Sequence, residues 1–175
     1  QQNSAVTVIW NALTGDSSGI DSYVVEVSKS AAFTGAISAD TVDGAVVSQL
    51  LSGLNNDTYY WRVRAIDGAG NAGANSATRG FLIDTTIGQV TLSTPADGNQ
   101  TNSSLTVIWN AVTGDSSGID SYVVEVSKSS GFTSTISADT VDGAVTSQLL
   151  SGLYNDTYFW RVRAIDGAGN AGTNS

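Results

Sequence analysis

The sequence predicts an all-β protein built as two tandem β-sandwiches. Three observations carry that prediction: apolar residues recur at period two, the first 76 residues return 99 positions later, and clusters of Gly, Asn and Asp separate the alternating runs. Period two sends successive side chains to opposite faces of a strand, so one face can be buried while the other meets water. No run with helical spacing reaches helical length.

The repeat keeps its register throughout. Trp10 matches Trp109, Tyr23 matches Tyr122, Trp61 matches Trp160 and Asn71 matches Asn170; pairing residues 1–76 with 100–175 leaves 12 differences. A 99-residue period is too long for a solenoid unit and suits a sandwich that owns its core. The expected domains are 1–86 and 87–175.

In the second copy, Leu105, Val107 and Trp109 share one face of a first alternating run. After the turn-rich segment 113–118, Tyr122, Val124 and Val126 form a second buried stripe, with Val123 and Glu125 opposite. Leu150 and Leu153 lead into a third, Tyr158, Trp160, Val162 and Ala164, with Phe159, Arg161 and Arg163 facing out. Turns fall at residues 128–131, 142–143, 154–156 and 166–170, where Gly, Asn and Asp supply tight reversals. Trp109 and Trp160 are expected at the centre of the core, from opposing sheets.

The joining segment contains Gly80-Phe81-Leu82-Ile83, expected as the last strand of the first copy, and Val90-Thr91-Leu92-Ser93, expected as the first strand of the second. The first copy has no counterpart of that first strand, and the second none of that last one. Open sheet edges are a liability that proteins close. Either the sequence is a window of a longer array, or a neighbouring chain completes each sandwich by strand addition. Both expectations make the chain its own partner, and head-to-tail contacts of this kind give filaments.

Composition narrows the function. There are 16 acidic and 7 basic residues, a formal charge of -9, and Lys29 and Lys128 are the only lysines. Nucleic acid and anionic membrane surfaces need basic clusters, so neither is expected as a partner. Without His or Cys, imidazole and thiolate metal sites and His-activated nucleophiles cannot form, and no enzyme activity is expected. No apolar run approaches the roughly 18 residues of a membrane span, so no membrane insertion is expected. Without Met at position 1, the chain reads as a mature or excerpted segment.

The runs 105–109, 119–126 and 157–164, together with Tyr59-Tyr60-Trp61-Arg62-Val63-Arg64-Ala65 leading into Asp67-Gly68-Ala69-Gly70-Asn71, resemble fibronectin type III-like (Ig-like) domains, more narrowly the bacterial and archaeal extracellular version. The resemblance covers nearly the whole chain. It implies a seven-stranded Greek-key sandwich in each copy and an extracellular or cell-surface location. It also implies corner tyrosines, Tyr59 and Tyr158, bonding back to backbone near Leu54 and Leu153.

Within that layout Asp115, Asp120, Asp166 and Asn170 are expected at one end of the second copy, with Asp84 of the linker approaching it. Such oxygen ligands suit a Ca2+ ion at the inter-domain junction, whereas Asx turns use the same residues without any ion. Asn-x-Ser/Thr sequons at Asn56, Asn99, Asn102 and Asn155 offer glycan acceptors on turns, although chance alone gives roughly three in such a chain. Outward Tyr60 and Phe159 could stack on sugars or pack across strands, and the Arg62, Arg64, Arg161 and Arg163 stripe is expected to pair with Glu26 and Glu125. The sequence therefore points to a structural repeat of an extracellular microbial filament or adhesin stalk. The alternative is an accessory carbohydrate-binding or spacer module of a secreted polysaccharide-degrading enzyme.

Overall fold

The computed structural model describes residues 4–98 and 103–175, and its described residues form twelve strands with no helix. Two compact units divide the chain: residues 4–85 fall in one and Thr86–Ser175 in the other.

In the first unit, β1 (Val6–Ile9) pairs with β4 (Ser48–Leu51). Facing them is a four-stranded sheet in the order β3 (Ala36–Asp43), β2 (Ile20–Ser28), β5 (Asp57–Asp67), β6 (Arg79–Ile83). The second unit repeats the plan with β11 (Ser147–Ser151), β8 (Ser104–Asn110) and β7 (Thr91–Thr94) in one sheet, and β10 (Thr135–Asp142), β9 (Ile119–Ser127) and β12 (Phe159–Asp166) in the other. All pairings are antiparallel.

The alternation of the sequence becomes the core. Val107 and Trp109 of β8 face Tyr122, Val124 and Val126 of β9 and Val162 and Ala164 of β12, all buried. Trp109 meets Tyr122 edge-on at 5.6 Å, and Trp10 meets Tyr23 the same way at 5.6 Å, the arrangement aromatic quadrupoles favour. Each buried tyrosine hydroxyl accepts a backbone N–H, from Leu13 to Tyr23 at 2.8 Å and from Val112 to Tyr122 at 2.9 Å, so burial leaves no orphaned oxygen. Trp160 lies on the sheet opposite Trp109, as expected, and packs half-buried against the core.

The outward face of β9 is also covered. Val123 sits between Thr140 and Arg163 in register, which shield it although it points away from the core. The linker strands begin and end within a residue of their expected positions: β6 starts at Arg79, and β7 starts at Thr91, leaving Val90 to plug the core just before it.

The reversals need glycine at specific places. A Cβ on Gly44 or Gly143 would stand 2.1 Å from the carbonyl oxygen of Ile20 or Ile119, too close for any side chain. The corner tyrosines close the turns before β5 and β12, with different polarity. Tyr59 Oη donates to the Asn55 carbonyl at 3.1 Å, whereas Tyr158 Oη accepts from the Tyr154 N–H at 3.2 Å.

Candidate functional site

Strands β5 and β12 arise from near-identical residues, since 57–67 and 156–166 differ only at Tyr60/Phe159. Their surroundings differ, which makes each copy a control for the other. In the first unit β6 pairs with β5 in the register Ile83↔Asp57, Leu82↔Thr58, Phe81↔Tyr59, Gly80↔Tyr60 and Arg79↔Trp61. The Phe81 ring stacks on Tyr59 with centroids 5.6 Å apart. The exit of β6 is latched by Asn56, whose Oδ1 accepts from Thr85 N at 3.1 Å and Thr85 Oγ1 at 2.7 Å. Its Nδ2 donates to Asp84 Oδ1 at 3.3 Å. Under this cover Tyr59 is 2% and Trp61 8% exposed, and Ile83 itself is 2% exposed.

In the second unit the same edge is paired only in its upper half. Ile165 bridges Ala171, Gly172 N donates to Ala164 O at 2.9 Å, and Ser175 N donates to Val162 O at 3.0 Å. Among the described residues no strand pairs with Asp156–Trp160 on the side away from β9. The strand itself shortens: β12 begins at Phe159, whereas β5 begins at Asp57, the counterpart of Asp156. Tyr158 and Trp160 become half-buried.

The opposite edge shows the converse. β7 pairs with β8 at Thr91↔Asn110 and Leu92↔Trp109, and β8 runs seven residues where β1 runs four. At the corresponding place in the first unit a cavity of about 330 Å³ opens beside β1, lined by Ile9, Trp10, Trp61, Val63 and Arg79. Ile9 is 63% exposed there, against 37% for its counterpart Ile108. Each unit thus holds an edge that the other shows filled.

No protein-family model matches the sequence, and no curated protein does. Solved structures do match. The FN1-FN3 domains of chicken CNTN1 superpose with a TM-score of 0.56 at 19% identity, covering 99% of this chain, which spans 58% of that fragment. The fibronectin(III)-like modules of Clostridium thermocellum CbhA give a TM-score of 0.50 at 17% identity, over 99% of this chain and 83% of theirs. The chain has the fibronectin type III fold, in tandem.

On the outer face of each fibronectin type III module one arginine of the expected stripe pairs across strands, whereas the Nε atoms of the other two, Arg64 and Arg163, are buried without a hydrogen-bond partner. Arg62 Nε reaches Glu26 Oε2 at 2.6 Å and Arg161 Nε reaches Glu125 Oε2 at 2.7 Å, as the cross-strand positions led us to expect. Each guanidinium also lies over a ring, Phe33 at 4.0 Å and Phe132 at 4.1 Å. Those phenylalanines have φ of 53° and 50°, a left-handed conformation that disfavours side chains, and the cation helps to hold them there. Lys29 and Lys128 bind Asp57 and Asp156 at 2.7 and 2.8 Å, which holds both carboxyls below, and both ammonium groups above, their ordinary pKa.

The acidic loop residues serve as turn builders. In the second fibronectin type III module, Asp166 Oδ1 accepts from Ala168 N and Asn170 N, at 3.0 and 2.8 Å, and its Oδ2 accepts from Asn170 Nδ2 at 2.7 Å. Asp115 Oδ1 accepts from Ser117 N and Oγ, and these two carboxylates come within 4.8 Å of one another. Asp120 stands apart from them, exposed near the start of β9, and Asp84 belongs to the first unit. The equivalent Asp67 carboxyl is held below the usual range, first by the Asn71 side chain. Of the sequons, Asn155 is exposed on its turn, Asn56 spends its amide on the latch, and Asn99 and Asn102 lie outside the described residues. Tyr60 is half-buried, its ring against Gly80, and Phe159 is half-buried as well. The latch by Asn56 was hidden in the sequence behind the Asn-Asp-Thr sequon; the repeat of that tripeptide at Asn155 was the available signal.

Proposed function

We propose that the chain is a non-catalytic structural repeat of an extracellular filament or adhesin stalk, polymerising head to tail. One observation carries this reading: the chain is two near-identical sandwiches in tandem, each with its own buried core and with matching cross-strand ion pairs on its outer face. The absence of His and Cys and the formal charge of -9 support a scaffold that repels nucleic acid and carries no imidazole or thiolate chemistry. Negative-stain microscopy and light scattering on the 175-residue chain test it. Fibres or head-to-tail oligomers are expected, and a strictly monomeric chain at all concentrations overturns the reading.

A second reading, an accessory spacer or carbohydrate-binding module of a secreted polysaccharide-degrading enzyme, is favoured by the fold likeness to the CbhA fibronectin(III)-like modules. Saturable sugar binding that is lost in Tyr60→Ala and Phe159→Ala supports that reading over the first.

A further inference from the structure

The same lateral edge is built twice. In the first module β3 is the outer strand of the four-stranded sheet and β4 belongs to the sheet facing it; β10 and β11 take the same places in the second. Between β3 and β4 lies a groove of about 310 Å³ walled by Val27, Ile37, Leu50, Leu51 and Leu54, with Asp40 beside them. We infer that this edge binds a cationic, extended segment of another protein. The segment adds as a further strand to β3, or to β10, and sets a Lys or Arg side chain against Asp40 or Asp139. This goes beyond the filament reading and does not rest on it.

The edge is apolar where it meets water. Ile37 and Leu50, and their counterparts Ile136 and Leu149, are all more than half exposed. A bulge in the pairing with β2 leaves Ile37 out of the ladder, and its side chain joins the groove wall; Ile136 is bulged in the same way against β9. Open backbone groups beside such side chains form a template for one more strand. Charge then selects the partner. Residues 36–54 and 135–153 contain Asp40, Asp43, Asp139 and Asp142 and no Lys or Arg. Asp40 stands in register with the core residue Val25, which puts its side chain on the groove face of β3. Among the described residues its carboxylate has no hydrogen-bond or ion-pair partner, and Asp139 accepts only from the Ser137 hydroxyl, at 3.0 Å. A second copy would bring the same carboxylates to this edge on a chain of formal charge -9, and like charges opposed across strands repel. A Lys or Arg instead covers Ile37 and Leu50 with its methylenes while its head meets the carboxylate.

The test titrates the intact chain with a labelled, end-capped peptide, Thr-Val-Thr-Lys-Thr-Val-Thr, whose Val and Lys side chains share one face of a strand. Saturable binding is expected, with new amide protection at Ala36–Asp43 and Thr135–Asp142. Replacing the peptide's Lys by Glu should weaken binding about tenfold or more. Asp40→Asn combined with Asp139→Asn, both at exposed positions, should weaken the parent peptide about threefold. No binding, protection confined to other strands, or equal binding of the Glu peptide overturns the inference. Protection of these two strands that grows with protein concentration in the absence of peptide also overturns it, and assigns the edge to a second copy. Fibres without peptide capture sink this inference alone; peptide capture without fibres sinks the filament reading alone.

Discussion

Ile83 closes the end of the first core from the last position of β6, and it is 2% exposed. Ile83→Ala removes three buried carbons at about 0.8 kcal/mol each, and the cavity left behind raises the total to about 2–5 kcal/mol. A module of this size has a stability of about 5–15 kcal/mol, so a large part of it goes. At 4–8 °C per kcal/mol, the melting temperature of the first module should fall by on the order of 10–40 °C. The second module has its own core and should not respond. Differential scanning calorimetry reads both: one transition moves down and the other stays. Val90→Ala, buried in the second unit, should then move the other transition, by less because two carbons are lost. Common displacement of both transitions by either substitution, or no displacement by Ile83→Ala, refutes the assignment of β6 and Val90 to separate cores.

Four further outcomes follow from the same geometry. Phe132→Ala keeps the left-handed backbone and loses the Arg161 contact, so its unfolding free energy in urea should drop by about 1 kcal/mol or more, while Phe132→Gly relieves the backbone and should cost less; the reverse order contradicts the strain argument. Gly143→Ala forces a Cβ against the Ile119 carbonyl and should cost on the order of 2 kcal/mol or more, measured by chemical denaturation, against little effect for an exposed Ser→Ala change. Because the Asp57, Asp67 and Asp156 carboxyls are held below their unfolded values, their stabilisation is complete above about pH 4 and fades as the pH falls through their folded values. Lys29 and Lys128, raised, stabilise below about pH 10.4 and lose this at higher pH, so a flat urea midpoint across both limits argues against these pairs. Since the Asp115 and Asp166 carboxylates already accept turn N–H groups, EDTA should leave the melting temperature unchanged; a drop reversed by added Ca2+ shows a bound ion instead.

Much of this fold was legible because burial on one face writes itself as alternation. Tyr122-Val-Val124-Glu-Val126 and Trp160-Arg-Val162-Arg-Ala164 could be placed by face from spacing alone, and both stripes are buried as expected, apart from the half-exposed Trp160. β3 and β10 left no such trace. Their residues, Ala36–Asp43 and Thr135–Asp142, are mostly exposed on both faces, and the strands exist through backbone pairing to β2 and β9 rather than through a hydrophobic face. Within the site, the donor segments 80–83 and 90–93 stood out as apolar runs without a counterpart. The latch did not, because a hydrogen bond between Asn56 and Thr85 spans 29 residues and has no periodic signature. The strained Phe33 and Phe132 were equally silent, since the arginines over their rings lie far away in sequence.

The central claim is that the two matched acceptor strands differ only in being covered. Hydrogen exchange of the unaltered chain tests it most directly, because Thr58–Trp61 and Thr157–Trp160 have nearly the same intrinsic exchange rates and their fragments differ in mass at Tyr60/Phe159. At positions pointing away from β2 and β9, the amides of the second strand should exchange at least about tenfold faster than their counterparts in the first. Equal protection of the two strands would contradict the account.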